Sequence, residues 1–92
     1  MMNMFLFEEG RFYQLNQEDK MIAEVTYQTK GHVFYLDHTF VDPSLRGQGI
    51  ARKLVDEVVS LARSKGYKIK PVCPYALKLF IEDPSYGDVW DK

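Results

Sequence analysis

The chain has 92 residues, enough for one domain with a core near the lower limit of independent folding, so residues 1–92 are expected to form one domain with no added regulatory or substrate domain. An apolar share of 46% with charges of both signs interspersed is the composition of a soluble globular protein, not a disordered or fibrous one. A net charge of −1 without a long basic or acidic block removes the electrostatic case for nucleic acid or an anionic membrane, and a single cysteine excludes an internal disulfide and a cysteine-cluster zinc site.

The opening Met1-Met2-Asn3-Met4-Phe5-Leu6-Phe7-Glu8 lacks the basic region and the apolar stretch of a secretory signal, and is expected to belong to the mature protein. No apolar run reaches membrane-spanning length, and a lone thiol suits a reducing compartment, so the expected location is cytoplasmic. Arg11-Phe12-Tyr13-Gln14-Leu15 followed by the polar Asn16-Gln17-Glu18-Asp19 predicts a strand ending in a turn. From Lys20, Met21, Ala23, Val25 and Tyr27 alternate with Ile22, Glu24, Thr26 and Gln28, a second strand with one more apolar face. Lys30-Gly31 supplies the next turn, and His32 to Val41, rich in β-branched and aromatic residues, predicts a third strand of an antiparallel meander that Pro43 and Ser44 stop.

Beyond the glycines at 47 and 49 the period changes. Ile50, Leu54, Val58, Leu61 and Ala62, with Val55 alongside, recur at three- and four-residue spacing and predict an amphipathic helix ending near Lys65, with Gly66 as a left-handed cap. Tyr67 to Val72 is a short strand, and the strand–helix–strand order implies a right-handed crossover between parallel strands. Pro74 suits the first position of a second helix carrying Ala76, Leu77, Phe80 and Ile81 as its apolar stripe and stopped by Asp83-Pro84. The tail from Ser85 to Trp90 has aromatics able to fold back on the core, but no period that assigns it an element. The expected fold is therefore α+β: a twisted, mainly antiparallel sheet, a strand–helix–strand parallel crossover and a second short helix.

The loop Arg46-Gly47-Gln48-Gly49-Ile50-Ala51 lies between a strand end and a helix start, where backbone N–H groups lack intrahelical partners and the helix dipole is positive. Small residues at 47, 49 and 51 let the chain curl and let a diphosphate approach main-chain nitrogen. A strand–Gly-x-Gly–helix junction also serves simply as a tight turn, and neither GxGxxG nor GxxxxGK[ST] is present. The longer run Val41-Asp42-Pro43-Ser44-Leu45-Arg46-Gly47-Gln48-Gly49-Ile50-Ala51 resembles the acetyl-CoA signature of the GNAT acetyltransferase superfamily, V-x-P-x-x-[RQ]-G-x-G-[IL]-[AG], at every specified position. With Asp37-His38-Thr39 before it, Cys73-Pro74-Tyr75 after it and Pro84-x-Tyr86 near the end, the chain is most similar to a subgroup of very small GNAT-like N-acetyltransferases, from Lys20 onward.

That resemblance implies a GNAT-like fold, acetyl-CoA as cosubstrate without a metal, and acetyl transfer to an amine. It implies that Arg46, Gly47, Gln48, Gly49, Ile50 and Ala51 hold the CoA diphosphate while the main chain of Thr39, Phe40 and Val41 meets the pantetheine arm. A non-catalytic acyl-CoA binding or sensing module is the main alternative, and a small interaction domain using the sheet and Trp90 a third. The chain departs from the larger enzymes in having no room between Leu15 and Lys20 for the paired helices that wall the acceptor site, no full C-terminal hairpin, and no counterpart of the tyrosine that commonly protonates the departing thiolate.

Transfer to an amine needs a base, donors for the tetrahedral oxyanion and a proton for the leaving sulfur. His38, at a strand end, is a candidate base because imidazole is the side chain most often used for that role. Its parity with Phe34, Leu36 and Phe40 equally allows a hydrogen-bonded histidine at the core edge. Cys73, expected at the N-cap of the second helix with Lys70 near in sequence, is a candidate acid/base partner of the CoA sulfur or a nucleophile, against the alternative of a small buried core residue. Arg46 either meets a CoA phosphate or braces the loop, Tyr75 lines the cofactor cleft or packs in the core, and Lys68, Lys70 and Lys78 either assist the 3′-phosphate or are solvated surface.

Overall fold

A computed structural model describes residues 5–92, so the first four residues of the opening segment, Met1 to Met4, lie outside the described residues. The elements are β1 (Leu6–Glu8), β2 (Arg11–Leu15), β3 (Met21–Lys30), β4 (Val33–Val41), α1 (Ile50–Lys65), β5 (Lys68–Pro71) and α2 (Pro74–Glu82), with 3-10 turns at Pro43–Leu45 and Pro84–Tyr86. The five strands form one sheet in chain order, antiparallel except for β4 beside β5. This is the expected α+β fold with its parallel crossover through α1. β1 was not foreseen, because three residues are too few for an alternation to register.

The alternation of β3 does what its pattern requires: Ala23, Val25 and Tyr27 are buried and pair with β4 in an antiparallel ladder. α1 lays Leu54, Val55, Val58, Val59 and Ala62 on the same sheet face, and α2 adds Ala76, Leu79 and Phe80. Each of the larger side chains contributes roughly 1.5–3 kcal/mol by leaving water. α1 ends at Gly66 with φ 73°, whose N–H donates to the carbonyls of Ala62 and Arg63, while Tyr67 N–H also reaches Ala62. The opposite sheet face carries Arg11, Tyr13, Glu24, Thr26, Tyr35 and His38, none of them buried.

The strict alternation expected through β4 breaks at Asp37. Thr26 pairs with His38 while Tyr27 pairs with Leu36, so β4 carries one extra residue there, a β-bulge. Phe34 and Leu36 are buried, but His38 and Phe40 are exposed on the other face, whereas Thr39 and Val41 pair with the buried Val25 and Ala23. His38 therefore does not share the face of Phe34 and Leu36 and is not packed at the core edge. The Asp37 carboxylate accepts from Thr26 Oγ1 at 2.5 Å and Gln28 Nε2 at 3.1 Å, tying the bulge to β3.

The tail, which sequence periodicity leaves unassigned, packs. Tyr86 and Val89 are buried, and Trp90 bridges in parallel to Ile69, with Ile69 N–H donating to Val89 at 2.6 Å and Asp91 N–H to Ile69 at 2.8 Å. It thus covers the outer edge of β5, the kind of unpaired edge that invites association when left open.

Candidate functional site

The pairing of β4 with β5 stops at Leu36 and Pro71, where the Leu36 carbonyl accepts from both Val72 and Cys73 N–H at 2.9 Å. Beyond that point the strands diverge. β4 continues through Thr39 to Val41, Asp42 caps the Pro43–Leu45 turn by accepting from Ser44 N–H at 3.0 Å and Ser44 Oγ at 2.6 Å, and the chain runs through Arg46 into the glycines. Those two donors hold the Asp42 carboxyl below the usual carboxylate range, so the turn keeps its anionic cap.

Gly47 and Gly49 have φ of 85° and 73°, a region that favours glycine. A Cβ at either would meet no protein atom, so backbone conformation alone selects glycine within the protein and the space over the loop is open. Gly49 is the N-cap of α1 and offers no side-chain cap, which leaves the first-turn N–H groups available to an anion. A cleft of about 430 Å³ runs over this loop, lined by Thr39, Val41, Arg46, Gly47, Gly49, Ala51 and Tyr75. Its size is that of a small-molecule site, and its donor set, backbone amides at a helix N-terminus beside a guanidinium, suits a phosphorylated ligand. Gln48 is exposed and Phe40 stands on the far face, so they do not line the cleft by side chain, while Ile50 packs against the core.

Cys73 is buried as the N-cap residue of α2, with its sulfur 3.6 Å from Thr39 Oγ1. His38 lies on the opposite sheet face, so the thiol and the imidazole share one end of the sheet but not one side of it. Two residues bring side chains to the cleft that the sequence left open or read as main-chain contacts. Thr39 presents its side chain as well as its main chain, which a strict alternation could not foresee because the bulge reverses the parity. Tyr75 is half-buried and lines the cleft, and burial pushes its phenol above the usual tyrosine value. Lys68 Nζ donates to the Asp88 carbonyl in the tail, and Lys70 is exposed beside Tyr35 on the face away from α1, so neither lines the cleft. Among the described residues no three or more His, Cys, Asp or Glu gather as metal ligands, and no helix is long and apolar enough to cross a membrane.

The family described as GCN5-related N-acetyl-transferase matches residues 11–89. The solution structure of a GCN5-like protein from Staphylococcus aureus is 34% identical, with a TM-score of 0.81 over 99% of this chain and 91% of that one. An acetyltransferase from Bacillus cereus is 26% identical, with a TM-score of 0.58, over 70% of this chain and 51% of that one. An acetyltransferase from Trypanosoma brucei, 23% identical with a TM-score of 0.58 over 78% of this chain and 58% of that one, shares the fold. The chain thus spans nearly all of the first but only about half of the larger two. No curated relative matches.

Proposed function

The chain belongs to the GCN5-related N-acetyltransferase family, and from that premise we propose that residues 1–92 act as one acetyl-CoA-dependent domain that transfers an acetyl group to an amine. The observation that carries this reading is the cleft that joins the Gly47 and Gly49 loop to Thr39, whose hydroxyl touches Cys73. Acetyl-CoA would supply an activated thioester. The amides of Gly47, Gln48, Gly49, Ile50 and Ala51 would hold its diphosphate, the Arg46 guanidinium would add positive charge, and the main chain of Thr39, Phe40 and Val41 would meet the pantetheine arm. The Cys73 thiol, at the N-terminus of α2, would act on sulfur chemistry, as acid/base partner of the leaving thiolate or as a nucleophile for the acetyl group. His38 would accept the proton of an amine arriving from the sheet face away from α1, where its imidazole is exposed. No metal takes part in this scheme, and neither nucleic acid nor membrane is a partner. We assign the reaction to the cytoplasm, a compartment that a lone thiol suits.

The test is an NMR titration with CoA that follows the amides from Gln48 to Ala51, paired with acetyl-transfer assays across amines and peptides. Shifts confined to that loop and the Thr39 to Val41 strand, together with turnover of at least one amine that Cys73→Ala abolishes, are expected. Loop amides that ignore CoA would sink the reading altogether. A second reading, an acyl-CoA binding or sensing module, is favoured by the sheet face away from α1, over which no helix lies among the described residues to wall an acceptor. It would be established by saturable CoA binding with no transfer over the whole panel.

A further inference from the structure

Sequence parity puts His38 on the face of Phe34 and Leu36, but the register gives that face to Thr39. The extra residue at Asp37 turns the strand so that His38 faces out and Thr39 faces the helix layer, beside the buried Val25 and 3.6 Å from the sulfur. The turn is latched by the Asp37 carboxylate, which accepts from Thr26 and Gln28 across the strand pair.

We propose that Thr39 is the positioning residue of Cys73: its hydroxyl donates to the sulfur and favours the thiolate, in a geometry fixed by the Asp37 bulge. The proposal rests on the reading of Cys73 as a reacting group. A hydroxyl donor to a thiolate is a charge-assisted hydrogen bond, stronger than its neutral counterpart, and it acts with the dipole of α2. The other groups at this corner are engaged elsewhere. On α1, Arg52 is ion-paired with Asp83 and Asp56 accepts from the Tyr86 hydroxyl at 2.6 Å. On β5, Lys70 is exposed beside Tyr35, and on β4, His38 points away. Arg46 and Tyr75 line the cleft itself, where Tyr75 is held neutral by burial. No basic side chain is bonded to the sulfur among the described residues, and the Thr39 hydroxyl is the polar group in contact with it.

The experiment follows the rate of iodoacetamide alkylation of Cys73 against pH in the full chain. Thr39→Val, close in shape but without the donor, is expected to move the midpoint upward by about one pH unit. Thr39→Ser, which keeps the donor, is expected to stay near the native midpoint. An unchanged midpoint in Thr39→Val overturns the proposal, as does a serine variant that behaves like valine. Thr39→Ala carries the same expectation as valine if the valine variant does not fold. Because alkylation needs no acetyl-CoA, the two readings fail separately. A Thr39-dependent midpoint without any acetyl transfer overturns only the enzymatic reading, and transfer with a Thr39-independent midpoint overturns only this one.

Discussion

The Tyr86 hydroxyl donates to Asp56 Oδ1 at 2.6 Å while its ring stacks on Phe80 at 4.8 Å, so a single side chain of the tail is held by α1 through its tip and by α2 through its face. Burial first, then the Asp56 carboxylate, pushes its phenol up to about 12. The folded value is raised above the unfolded one, so the neutral phenol stabilises the fold fully below pH 10 and that contribution is lost as pH rises toward 12. Stability measured by urea titration is expected to fall across that window. Tyr86→Phe is expected to cost about 1.5–3 kcal/mol at neutral pH, through the lost bond to a charged acceptor, and to flatten the alkaline fall. An alkaline profile identical in the two proteins would show that another group governs it. Nothing in the sequence around Pro84 marks this bond, because it joins residues 30 apart. The glycine loop is the opposite case. Its positive φ values at 47 and 49 are local requirements, and the residue type announces them.

At the level of elements, amphipathic period predicted the extents of α1 and α2 to within a residue or two, but of the stripe expected on α2 only Ala76 and Phe80 are buried, with Leu79 in place of the exposed Leu77 and Ile81. β4 was placed correctly as a strand but not in its facing. A bulge adds one residue without leaving a mark in hydrophobic pattern, since Asp37 and His38 are polar whichever way they point. The latch makes this testable. Asp37→Ala removes two cross-strand acceptors and is expected to cost about 1 kcal/mol, and to speed amide exchange from Leu36 to Thr39 more than elsewhere in the sheet. Exchange that is unchanged there would mean that the backbone ladder alone holds the bulge. The same register explains why the site is half-legible: the loop and the thiol sit where the sequence placed them, whereas the approach of Thr39 and the withdrawal of His38 follow from the bulge.

Among the described residues the arrangement has two layers, in which one sheet face meets both helices and the other carries no helix. With so few residues, the core cannot spare the tail. Tyr86 and Val89 are buried in it, Arg63 grips Asp88 and the Ser85 carbonyl, and Trp90 covers β5. Full burial of such side chains is worth roughly 1.5–3 kcal/mol each, against a net stability of about 5–15 kcal/mol for a typical domain. A chain stopped at Glu82 is therefore expected to lose its cooperative thermal transition by circular dichroism. A transition at the midpoint of the full chain would refute that dependence.

The sequence by itself determined the strand–helix–strand order and the tight glycine loop that joins strand to helix, because each rests on neighbours within a few residues: a repeat period, a positive φ, a helix start. Tertiary structure alone decided which side of β4 faces the thiol, that Thr39 and not His38 touches it, that Tyr75 lines the cleft and that the tail closes the sheet. Those outcomes depend on strand register and on contacts between distant segments, where one inserted residue reverses every side chain that follows.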